Sequence, residues 1–138
     1  MSGSAVSHES SAALLLVDGD ILVRHALAQY LRDCGYRVVE AATSDEALAV
    51  LGTPSLVIDV VLAHARCPGS MDGFTLARHI RAAWPGMGVA LAGSADRAAE
   101  EAARLCDEGP GLGRPYDHRL VLDRIKRLLA ARTRSSGG

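Results

Sequence analysis

A three-layer α/β domain, built on a five-stranded, doubly wound parallel sheet with helices on both faces, is the fold this chain predicts. Short aliphatic runs alternate with segments of helical period, which is the pattern of βα units. One run, Leu56-Val57-Ile58-Asp59-Val60-Val61-Leu62, is apolar at both odd and even positions, as in a strand covered on both sides. At 138 residues the chain has enough material for one core and not for two.

Ala13 to Val17 reads as the first strand, closed by Asp18-Gly19-Asp20. Val23, Leu27, Leu31 and Cys34 then share a helical stripe, and Gly35 stops that helix. Tyr36 to Val39 is a second strand. Thr43 or Ser44 caps a helix through Leu51, with Asp45 and Glu46 in its first turn. The third strand is the run containing Asp59, followed by an irregular loop, Ala63 to Ser70. Phe74 to Trp84 is a helix, Val89 to Ala92 a fourth strand, and Ala95 to Leu105 an Ala-rich helix. Pro110 to Arg114 is expected to be a fifth strand. Val121, Ile125, Leu128 and Leu129 stripe the last helix, whose Arg119, Arg124, Lys126 and Arg127 are expected to face water. Residues 12–132 form the predicted domain, with 1–11 and 133–138 as tails.

Several classes of function are disfavoured at the outset. A net charge of −1 provides no basic field for nucleic acid, and 4% aromatics provide few stacking surfaces. No stretch is long and apolar enough to span a membrane. The first residues lack the layout of a signal peptide. Cys34, Cys67 and Cys106, odd in number and far apart, predict reduced thiols in a cytoplasmic protein. The five histidines have no metal-ligand spacing, so they, with Arg66 and Cys67 in the loop, read as surface residues.

The alternation gathers the carboxyl ends of the strands at one edge, where ligands bind in open α/β sheets. Asp18, Asp20, Asp59, Gly93, Ser94 and Arg114 are expected there. Asp59, costly inside an apolar run, is the leading candidate for a working residue; the alternative is a helix cap. Clustered carboxylates call for a hard cation such as Mg²⁺, and an arginine with a hydroxyl beside them would grip a phosphoryl group.

In this order, Val17-Asp18-x-Asp20, Leu31-Arg32-x-x-Gly35-Tyr36, Glu46-Ala47-Leu48, Asp59-Val60-Val61-Leu62, Met71-Asp72-Gly73-Phe74 and Arg114-Pro115-Tyr116 resemble the response-regulator receiver domain, over about Leu14 to Leu129. The resemblance implies a flavodoxin-like fold and a phosphoryl group accepted on Asp59 from a histidine kinase or phosphotransfer protein. Mg²⁺ would be held by Asp18, Asp59 and the Val61 carbonyl, with Asp20 as a substitute ligand. Arg114 matches the family's lysine, and Ser94, after a shift of one from Gly93, its hydroxyl switch residue. A downstream or dimer partner would meet the face of the fourth helix, fifth strand and last helix.

The chain also departs from the pattern. Gly19 replaces the second acid of the pair, Gly111 the aromatic switch residue, and the Ala63–Ser70 loop is several residues longer than usual. These departures support an alternative, a degenerate receiver that binds proteins without phosphorylation. A remote alternative reads Asp18-Gly19-Asp20 as the first motif of haloacid-dehalogenase-like phosphatases, with Asp18 as nucleophile and Asp20 as general acid.

Overall fold

The computed structural model describes residues 12–109 and 116–137. In order they form β1 (Ala13–Val17), α1 (Ile21–Asp33), β2 (Arg37–Ala41), α2 (Ser44–Leu51), β3 (Val60–His64), α3 (Gly73–Ala83), β4 (Gly88–Ala92), α4 (Ala95–Glu108) and α5 (His118–Gly137). Four strands pair in parallel in the order β2-β1-β3-β4. The α/β architecture with a doubly wound parallel sheet therefore holds, with four strands among the described residues. The expected fifth strand, Pro110–Arg114, lies outside them.

Helices begin where polar side chains can satisfy free backbone N–H groups. Asp20 accepts from the N–H groups of Leu22 and Val23, Asp72 from Thr75, and Ser94 from Arg97. Thr43 accepts from the Glu46 N–H at 3.0 Å, while the Glu46 carboxylate accepts from the Ala42 N–H. Gly35, just past α1, takes a φ of 106°, a left-handed conformation that ends a helix cheaply only as glycine.

Alternation along the strands then sorts the core. Leu14, Leu16 and Leu62 pack with α1, α4 and α5 on one face, while Leu15, Val17, Val61 and Ala63 pack with α2 and α3 on the other. Continuing the sheet past β4 by a right-handed crossover would place α4 beside α2 and α3. Instead α4 lies on the α1 face, so the chain doubles back over the sheet.

The last helix confirms that turn. Tyr116 meets Tyr30, near the end of α1, edge-on at 5.3 Å; Lys126 reaches Asp96 at the start of α4; and Arg132 reaches Asp20 at the start of α1. Consequently α5 runs antiparallel to α1 and α4, in the groove between them, with Val121 and Ile125 buried.

Three expectations change. The third strand begins at Val60, and Leu56 and Val57 before it are exposed, because pairing with β1 starts at Leu14 with Val60. Helix α5 continues to Gly137, past the expected tail boundary at Thr133. Cys34 and Cys106 are joined in a disulfide, against the reduced thiols expected; remote in sequence, they cap α1 and close α4, where their Cα atoms stand 5.5 Å apart. Cys67 is the free cysteine, and it is buried.

A cross-link spanning 72 residues removes much of the freedom of the unfolded chain. Cys34→Ala or reduction with a dithiol is expected to lower stability by about 4 kcal/mol, measured by urea denaturation.

Candidate functional site

Strand order reverses between β1 and β3, since α1 carries the chain outward to β2 and α2 brings it back across the sheet. A crevice opens at the carboxyl ends of the two strands at such a point. Val17 registers with Ala63, so the next residues along each strand, Asp18 and His64, stand side by side at that crevice. His64 in turn registers with Ala92, the last residue of β4.

Asp18 is 6% exposed. Its Oδ1 accepts from the Asp20 N–H at 2.9 Å, its N–H donates to the Ala41 carbonyl, and its own carbonyl accepts from Arg24 Nη1 at 2.8 Å. Burial raises its pKa above the usual carboxylate value. The Asp20 N–H and the charges of His64 and Arg24 oppose the rise without cancelling it, and the Asp20 charge adds to it.

His64 ends β3, half-buried, with Nδ1 accepting from the Arg66 N–H at 3.0 Å. Its carbonyl accepts from the Cys67 N–H, and α3 begins against that carbonyl: a Cβ on Gly73 would overlap it. Cys67 lies beneath the loop, its thiol pushed up by burial and by the charges of Asp72 and Asp18. A sulfur so shielded is a poor nucleophile.

Gly19 is closed off as well. A Cβ there would sit 2.7 Å from Pro68 Cδ and 2.8 Å from Cγ, so the loop after β3 leaves no room for a side chain between Asp18 and Asp20. The Asp20 carboxylate is committed elsewhere, with Oδ1 capping α1 and Oδ2 accepting from Arg132 at 2.7 Å. Burial alone would raise its pKa, but the Arg132 guanidinium and the helix N–H groups outweigh this and lower it.

The leading sequence candidate is elsewhere. Asp59 precedes β3 and lies at the opposite edge, about 16 Å from Asp18 along the strands. Its Oδ2 accepts from the Ala13 N–H at 2.8 Å while its own N–H donates to the Ala13 carbonyl at 2.9 Å, a clamp on the start of β1. Val61 is in mid-strand, fully buried, so its carbonyl is not at the crevice. Ser94 reaches that edge of the sheet as the cap of α4, its Oγ accepting from the Arg97 N–H. Arg114 lies outside the described residues. His64, by contrast, is at the centre of the site, although its sequence context reads as a surface loop. The unusual apparent length of the Ala63–Ser70 loop is the signal that the strand ends later than Leu62.

Mg²⁺, the metal the resemblance implies, does not fit these residues. It requires oxygen ligands in near-octahedral array. Here a single buried carboxylate stands beside an imidazole, Asp20 is engaged with Arg132, and Pro68 excludes an acid at position 19. Among the described residues no three His, Cys, Asp or Glu gather to hold any metal.

Comparison with known proteins gives one consistent family. The model of the response regulator receiver domain matches residues 14–110, ending before α5. The response regulator protein FleR of Pseudomonas aeruginosa is 32% identical over 120 residues, 85% of this chain and 24% of FleR. The transcriptional regulatory protein AruR of the same organism is 30% identical over 122 residues, 84% of this chain and 48% of AruR. The chain thus spans about a quarter to about half of the length of the curated relatives it matches. Among solved structures, the chemotaxis response regulator CheY4 of Vibrio cholerae superposes with a TM-score of 0.55 at 24% identity, covering 85% of this chain and 98% of CheY4. The non-phosphorylated HemR receiver domain of Leptospira biflexa gives 0.54 at 27%, covering 85% and 93%.

Two substitutions test the geometry. Because the pKa of folded Asp18 is raised above its ordinary 3.8, ionisation costs the native state stability as pH rises through the folded value. Asp18→Asn is therefore expected to raise Tm at neutral pH, the gain vanishing below the ordinary carboxylate pKa. Gly19→Ala, forced against Pro68, is expected to lose about 1–3 kcal/mol by thermal or urea denaturation.

Proposed function

Since the chain belongs to the response regulator receiver domain family of two-component systems, we propose that it serves there as a receiver-fold module that binds partner proteins without itself taking up a phosphoryl group. One observation carries this reading. The carboxyl end of β3, where the resemblance expects a phosphoaccepting aspartate, bears His64.

An acyl phosphate needs a carboxylate at the attacking position and a cation to offset the charge of the incoming group. His64 has no carboxylate, and Asp18 beside it is buried, with burial pushing its pKa above the usual carboxylate value. The strand end facing His64 is Ala92, which has no hydroxyl to follow a phosphoryl group. Phosphorylation at Asp59 would put the new charge at the far edge, away from Asp18, on a side chain already bonded to the Ala13 N–H.

The phosphatase reading finds less support still. A general acid at Asp20 would have to leave both the α1 N-terminus and Arg132, which hold it ionised. The family's histidine kinases and phosphotransfer proteins remain reasonable partners, engaged by surface contact in place of chemistry.

Incubation with acetyl phosphate and Mg²⁺ is expected to leave the intact mass unchanged. A Mg²⁺-dependent gain of one phosphoryl group, abolished by Asp59→Asn, would restore the phosphoacceptor reading. The Tm of the protein is expected to be indifferent to Mg²⁺. His64→Asp, which sets two carboxylates side by side, should lower Tm in chelator and recover it with millimolar Mg²⁺.

A further inference from the structure

Along the groove between α1 and α5 lies a cavity of about 290 Å³, with Ala26 and Val121 as its floor, Tyr116 and Leu120 as walls, and Arg124 and Arg127 at its rim. We propose that this groove binds an acidic amphipathic helix of a partner protein; the proposal rests on the interaction-module reading and gives it a surface.

The charge pattern of this face points to such a partner. Arginines on the surrounding helices are matched within the chain: Arg97 with Glu100 at 2.8 Å, Arg104 with Glu101 at 2.6 Å, Arg119 with Asp117 at 2.9 Å and Arg132 with Asp20 at 2.7 Å. Lys126 stands 3.9 Å from Asp96. Among the described residues, Arg124 and Arg127 of α5 have no acid within 4.0 Å, although Asp123 shares their rim. Spacings of four and three put Leu120, Arg124 and Arg127 along one stripe of the helix, and Leu120 is 57% exposed.

An apolar side chain set into the groove, flanked one turn away by two carboxylates, complements that stripe. A concavity with Ala26 and Val121 at its base and charged groups around it suits an inserted side chain better than the flat surface of a bilayer. Two guanidiniums beside an aspartate, on a chain of net charge −1, are too few to follow a phosphate backbone.

The probe is a fluorescein-labelled helical peptide with leucine on one face and glutamate on the other, read by fluorescence anisotropy with the whole chain. Binding is expected, weakened by about tenfold in Arg124→Glu/Arg127→Glu without loss of Tm, and also weakened in Leu120→Asp. The charge-reversed variant is expected to prefer the peptide with lysine in place of glutamate. Binding that is absent, or equal in all variants, overturns the groove. So does retention by phosphatidylserine vesicles with no binding of the peptide, or a dimer in solution that Arg124→Glu/Arg127→Glu dissolves. Mg²⁺-dependent phosphorylation of the chain would overturn the interaction-module reading separately, since it requires no change at the groove.

Discussion

The arrangement depends on the burial of β1. All five of its residues are shielded from solvent on both faces, and it is hydrogen-bonded to β2 along one edge and β3 along the other. A strand so enclosed has no freedom of register, because a slip of one residue would exchange its two packed faces. Asp59 secures the start, bonding to both backbone groups of Ala13. Asp18 emerges at the finish with too little water to ionise easily. The two acids thus serve opposite ends of one constraint, the first setting register and the second bearing the cost of burial.

Beyond the sheet, the structure is tied together through helices. Chain reversal after β4 lays α4 beside α1, and the disulfide between Cys34 and Cys106 joins the ends of the two. Tyr36 adds a buried hydrogen bond from its hydroxyl to the Leu105 carbonyl at 2.6 Å, and the Tyr30–Tyr116 contact seats the start of α5 nearby. The family match, residues 14–110, takes in both α1 and α4 and the disulfide between them.

Much of the fold was legible in sequence because it follows from local rules. Gly35, Thr43 and Asp18-Gly19-Asp20 mark their boundaries by conformation and hydrogen bonding, which nearby residues decide. The third strand was misplaced because an aliphatic run carries no mark of where pairing begins; Leu56 and Val57 match Val60 and Val61 in type, and only the register against β1 separates them. That misplacement carried the site with it, favouring Asp59 over His64 five residues on. The disulfide and the direction of α5 were hidden for a related reason. Both depend on which face α4 chooses, a matter of packing between distant segments that periodicity within one helix cannot report.

Because α5 runs back along the strand direction, it links the two edges of the sheet as a rigid arm. Its 20 residues measure about 30 Å, so a tilt of about 5° at the Tyr116 end moves the other by about 2.5 Å. At Arg132, about 21 Å along the helix, the same tilt would amount to about 2 Å, comparable with the 2.7 Å contact to Asp20. The guanidinium beside Asp20, and with it the charge balance near Asp18 and His64, is thus set by how α5 is seated at its far end.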